Sequence, residues 1–182
     1  MEPFDSFLVW IADFLGDHLY EGIFLAALLE TIVPPIPTLA IFPTAGFLAS
    51  QQGVTLLGLI PMIILGAIGA TIGTSAIYLI ALKLGRVVLL RYLRFVKVND
   101  KKLTRVEIWF EKYGDKAVFL GRMVPVMREM ISIPAGLLKM RIPKFVLYTF
   151  AGSCVWSAGT ILSGYYFGAA IGLSTSTITP LP

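Results

Sequence analysis

The chain has 182 residues, of which 57% are hydrophobic and 14% charged, with a mean hydropathy of +0.82 and a net charge of +4. A soluble domain of this length carries nearer a quarter of its residues as charges, so a water-soluble fold is excluded in favour of one compact, all-α integral membrane domain. The single Cys154 rules out an intramolecular disulfide, and the lone His18 leaves a histidine-built metal centre or phosphohistidine chemistry without partners. No metal or cofactor is expected.

In chain order, residues 4–17 read as a short interfacial helix. The acidic start, Glu2 and Asp5, lacks the basic region of a cleavable signal peptide. Residues 19–50 carry Pro34, Pro35, Pro37 and Pro43, with no base on either flank. They predict a re-entrant hairpin that turns at PPIP; a full span over 7–33 is the alternative. No charge occurs from Thr31 to Leu82 or from Phe145 to Pro182. Each stretch exceeds the roughly 20 residues that cross a bilayer, and spans are expected at about 55–82 and 145–172. Gly66, Gly69 and Gly73 in the first span, and Gly152, Gly159 and Gly164 in the second, allow close helix approach. They also permit a homo-oligomer.

All fifteen Lys and Arg fall within residues 83–144, while residues 1–82 hold six acids and no base. The positive-inside rule places the basic region 83–116 in the cytoplasm of a multi-pass protein of the cell membrane. It reads as a loop that carries an amphipathic helix at 98–114. Val98, Leu103, Val106, Ile108, Trp109, Phe110 and Tyr113 are expected on the membrane surface, and Lys101, Lys102, Arg105 and Lys112 toward water or headgroups. Nucleic-acid binding has no motif to support it.

Residues 117–138 are apolar apart from Arg122, Arg128 and Glu129, and bases flank them on both sides. With both flanks in the cytoplasm the segment enters and returns, broken at Pro125 and Pro134. An ionisable group at membrane depth costs about 2.5–3.5 kcal/mol, so such groups mark a pathway or a binding site. Guanidinium groups stay charged when buried and grip carboxylate or phosphate bidentately. Arg122 and Arg128 therefore suggest an anionic phosphate headgroup. Glu30, ending the first helix of the other hairpin, is open to three roles: partner of an arginine, proton carrier or polar gate. The plainer possibility is that Glu30, Arg122, Arg128 and Glu129 only pair and hold the hairpins together.

The halves also align weakly with each other. Pro34 matches Pro125 at an offset of 91, Ala45–Gly46 matches Ala135–Gly136 at 90, Pro61 matches Pro143 at 82, and Gly69 and Gly85 match Gly152 and Gly168 at 83. The opposite charge of their flanks makes the two halves, about 4–85 and 98–172, an inverted repeat. Paired broken segments in such a repeat point to a transporter with its site near the midplane.

Two motifs resemble the DedA family, also called the SNARE-associated or VTT-domain family. One is Glu30, Pro34, Pro35, Ile36, Pro37 and Ala45–Gly46. The other is Gly121, Arg122, Pro125, Arg128 and Pro134–Ala135–Gly136. The resemblance implies two facing re-entrant hairpins and lipid translocation. Members recycle polyprenyl phosphates such as undecaprenyl phosphate, relatives scramble phospholipids, and protons couple transport in some. It carries essential roles to Glu30, Arg122 and Arg128. Members commonly have an acid shortly after the first P-x-P, where this chain has Leu39, and a further C-terminal span, where it ends at Pro182. The expected function is a lipid-phosphate flippase and not an enzyme. The alternatives are a membrane enzyme acting on lipid phosphate and a structural or ion-conducting protein.

Overall fold

The computed structural model describes residues 16, 18–30, 38–95 and 100–178. The interfacial helix expected at 4–17 and the PPIP turn, with Pro34, Pro35 and Pro37, lie outside the described residues. Every regular element described is helical. In chain order they are α1 (Leu19–Glu30), α2 (Thr38–Gln51), a short 3-10 turn (Leu56–Gly58), α3 (Leu59–Phe95), α4 (Asp100–Tyr113), α5 (Lys116–Arg122), α6 (Pro125–Met130), α7 (Ser132–Leu137) and α8 (Ile142–Ile178).

Two segments, Leu56–Lys83 and Ile142–Ile171, are long and apolar enough to cross a membrane. They match the expected spans. At about 1.5 Å per residue, the 37-residue α3 is about 55 Å long, well beyond the roughly 30 Å hydrocarbon core. Its last turns therefore replace the loop expected after Lys83. The bases there, Arg86, Arg91 and Arg94, are good helix formers, and no proline interrupts them. Ile60, Ile64, Ile72 and Leu79 on α3, and Leu147, Val155 and Phe167 on α8, are exposed. An apolar surface of this kind suits lipid.

The chain divides into two compact units. The first joins residues 1–69 to 157–182, and the second is residues 70–156. In lipid, helices gain little from hiding apolar surface, so small residues and close backbones drive their packing.

In the first unit α1 packs on α2. A Cβ built on Gly46 of α2 would lie 2.0 Å from the Ile161 carbonyl oxygen, and one on Gly164 of α8 would lie 1.9 Å from the Pro43 carbonyl oxygen. Neither position admits a side chain. A Cβ on Gly69 of α3 would likewise crowd α1, 2.5 Å from Phe24 O and 3.2 Å from Ala27 Cβ.

In the second unit the short helices α5, α6 and α7 follow one another. A Cβ on Gly136 of α7 would lie 2.5 Å from Tyr78 O, 2.7 Å from Ala81 Cβ and 3.1 Å from Leu82 N on α3. Gly152 of α8 meets α5 at Phe119 O and Arg122. Around these contacts Tyr78, Ala81, Val118, Ile131, Ile133 and Phe145 form a buried core, with Tyr78 stacked on Phe145 at 4.3 Å. Phe110 of α4 belongs to this core too, and Trp109 packs against it. That corrects the membrane-surface placement expected for Phe110: the apolar face of α4 buries against protein there, leaving Ile108 exposed.

The same local geometry recurs in both units. Val54 N–H bonds Ala49 O and Gly53 N–H bonds Ser50 O at the end of α2; Met140 N–H bonds Ala135 O and Lys139 N–H bonds Gly136 O after α7. Each exit is a Schellman cap with a left-handed residue, Gly53 (φ 70°) or Lys139 (φ 53°). A tyrosine then ties each exit down: Tyr165 Oη donates to Val54 O at 2.8 Å, and Tyr78 Oη donates to Met140 O. The long helices that follow, Leu59–Phe95 and Ile142–Ile178, both have 37 residues.

Candidate functional site

The second unit holds the buried charges. Val124 is extended (φ −105°, ψ 119°), the conformation imposed on a residue that precedes proline, and it separates α5 from α6. Pro125 starts α6, where its missing N–H leaves no bond unmade. The Val124 carbonyl instead accepts from Met127 N and Arg128 N. Pro134 sits in the first turn of α7, where an internal donor is likewise not needed. The break at Val124–Pro125 falls where the sequence places it.

Arg122 ends α5 at 2% exposure, and Arg128 lies on α6 at 6%. The break turns both onto α8. A Cβ at Gly152 would stand 2.7 Å from Arg122 Cβ and 3.1 Å from Arg122 Cγ. Only glycine lets the arginine stem lie flat on the helix at that point. The Arg128 guanidinium carbon sits 4.8 Å from the centroid of the Trp156 ring, a cation–π contact. Gly152 and Trp156 are four residues apart and so share a face of α8. With Thr149 and Ser153 they form one stripe on which both arginines rest.

The same unit contains further buried polar groups. Thr149 and Ser153 are buried on α8, and Ser132 is buried at the start of α7. Among the described residues, the hydroxyls of Ser132 and Thr149 and the indole N–H of Trp109 are buried without a hydrogen-bond partner. The unit thus combines permanently charged donors with buried neutral ones, the equipment of an anion site shielded from water.

Glu30 ends α1 in the first unit and is half-buried, whereas both arginines lie in the second. Glu129 follows Arg128 on α6. Leu39, where the resemblance leads one to expect an acid, is exposed near the start of α2. His18 is exposed and Cys154 half-buried, and no three His, Cys, Asp or Glu among the described residues group to hold a metal ion. Sequence reasoning named both arginines and gave Gly152 a packing role, but passed over Trp156, Thr149 and Ser132. The helical spacing of the α8 residues, 149, 152, 153 and 156, was the signal available.

Comparison with known proteins gives consistent matches. The VTT domain family matches residues 36–166. Undecaprenyl phosphate transporter A of Staphylococcus aureus (strain NCTC 8325 / PS 47) is 32% identical over 167 residues, covering 90% of this chain and 81% of that protein. The protein of the same name from Bacillus subtilis (strain 168) is 33% identical over 164 residues, covering 90% and 79%. A protein of Lactococcus lactis subsp. cremoris (strain MG1363) named alkaline phosphatase-like is 32% identical over 158 residues, covering 84% and 71%. No solved structure matches.

Proposed function

Since the chain belongs to the VTT-domain, or DedA, family of membrane proteins, we propose that it moves a lipid bearing a phosphate headgroup, such as undecaprenyl phosphate, across the cell membrane. The observation that carries this reading is the pair of buried arginines seated on one stripe of α8. Their guanidinium groups bind the phosphate, while the lipid tail stays in the bilayer. Glu30 is a candidate proton carrier, and Glu129 a candidate for ion pairing.

On the same reading, α1–α2 and α5–α7 are re-entrant hairpins of an inverted repeat and gate opposite sides in turn, with the basic region 83–116 in the cytoplasm. Three recurrences support the repeat. The contact partners of Gly46 (Ile161, Tyr165) and of Gly136 (Tyr78, Leu82) are each four residues apart. The Schellman exits and their tyrosine ties recur, and two helices of equal length follow. Inverted repeats with broken helices are a common transporter plan.

Headgroup translocation in proteoliposomes tests the site. Arg122→Ala and Arg128→Ala should each lose lipid binding and transport while remaining folded. Unchanged activity in both would overturn the assignment. The name of the Lactococcus relatives favours a second reading, a lipid phosphatase. Release of phosphate from a labelled lipid would support it over transport.

A further inference from the structure

Helical serines and threonines usually satisfy their hydroxyl on their own backbone, reaching a carbonyl three or four residues back. Thr44 does so to Ala40 O at 2.8 Å, Thr74 to Ala70 O at 2.6 Å, Ser75 to Thr71 O at 2.6 Å and Ser163 to Thr160 O at 2.7 Å. Ser132 and Thr149 differ. Both are 0% exposed, and neither hydroxyl has a partner among the described residues. A buried donor left unmade is costly, so its persistence calls for something that completes it.

Both sit in the chain beside residues that pack at or next to Arg122. Thr149 precedes, by one helical turn, the Gly152 on which the Arg122 stem lies. Ser132 follows Ile131, whose side chain packs at 3.0 Å against the Cβ position of Gly121, the neighbour of Arg122. Neither is one of the residues that define the arginine motif.

We propose that Ser132 and Thr149 are headgroup-contacting donors that select a phosphate monoester over a phosphodiester. The proposal rests on the lipid-phosphate reading of Arg122 and Arg128. A monoester presents three terminal oxygens and a diester two. A guanidinium takes two oxygens at once, and the third oxygen of a monoester satisfies the neutral hydroxyls. A diester turns an esterified oxygen and its alkyl group toward them and leaves them unmade. Sites with buried donors discriminate strongly against ligands that lack the matching acceptor.

The probes are farnesyl phosphate and its methyl diester, with binding to the full chain in detergent read by native mass spectrometry. The unmodified protein should prefer the monoester. Ser132→Ala and Thr149→Val should each weaken monoester binding about tenfold and leave diester binding nearly unchanged. Thr149→Ser, which keeps the hydroxyl, should retain the preference. Ser132→Ala removes a single atom, so folding is not at stake in that variant.

A preference that survives both hydroxyl deletions would overturn the proposal, as would equal weakening of both probes, which is the mark of lost packing. Arg122→Ala separates the two readings. If it abolishes binding of both probes while the hydroxyl variants keep the monoester preference, the arginine site stands and the selectivity role falls. If it binds both probes normally, the arginine site itself falls. Inorganic phosphate shares the three terminal oxygens. Binding of inorganic phosphate tighter than that of farnesyl phosphate would overturn the lipid source.

Discussion

The two units are built on one packing scheme and carry different chemistry. In the first, Gly69 of α3 faces Phe24 O and Ala27 Cβ on α1; in the second, Gly152 of α8 faces Phe119 O and Arg122 Cβ on α5. The partners stand three residues apart in both cases. Where one unit has a buried alanine, the other has a buried arginine. The scaffold of close glycine contacts therefore tolerates a charge at that position, provided the facing residue yields all its side-chain space. On the proposed function, one half of a shared frame carries the binding charge at a position that serves packing in the other.

This contrast predicts which substitutions break the fold and which break only the activity. The largest effect on folding belongs to the glycines. Gly164→Leu places a side chain where a Cβ alone would stand 1.9 Å from Pro43 O, and it should abolish folded protein in size-exclusion chromatography. Gly159→Leu, with nothing within 4 Å, should elute normally. Overpacking costs about 1–3 kcal/mol or more where backbone must move.

Next come the paired positions. Ala27→Leu should lower the melting temperature sharply, because Ala27 is fully buried against Gly69. Arg122→Ala should lower the melting temperature less than Ala27→Leu does and reduce lipid translocation by at least about tenfold, the loss of a charge-assisted hydrogen bond. Arg122→Lys keeps the charge but loses the bidentate fork and should recover only part of that. If Ala27→Leu and Arg122→Ala proved alike in both measurements, the contrast between the units would be wrong.

The tyrosine ties come third. Tyr165→Phe and Tyr78→Phe each delete one hydroxyl that holds an exit, and each should cost about 1 kcal/mol in unfolding experiments. The smallest effect sharpens the comparison of the exits. Gly53→Lys should destabilise and Lys139→Gly stabilise, each by about 1 kcal/mol, because only glycine adopts the left-handed conformation without strain.

Much of this was legible in the sequence, and the remainder failed for identifiable reasons. The spans were legible because a long apolar stretch without charge has no stable place in water. The arginines and the break at Pro125 were legible because charge and proline are both costly in lipid. The continuation of α3 to Phe95 was not, since a run of bases marks the cytoplasmic side without saying whether the backbone is coiled or helical. Phe110 was misplaced because periodicity identifies an apolar face but not whether lipid or protein covers it. Lys139 gave no sign of a left-handed cap, where glycine is the usual signal. The surfaces on which the arginines rest, Gly152 and Trp156, lie 24 or more positions further along the chain and needed the fold to bring them in.

The division into units also has a consequence in time. The second unit is one continuous stretch, residues 70–156, and is complete as soon as it leaves the ribosome. The first is not. Val54 receives its hydrogen bond from a residue 111 positions later, and Gln51 donates to one 117 positions later. At about 5–20 residues per second, the earliest helices to be made wait on the order of 5–20 s for the partner that finishes them. During that interval α1 and α2 wait with Gly46 uncovered. The order of manufacture is thus the reverse of the order of completion: the half that is made first is the last to close.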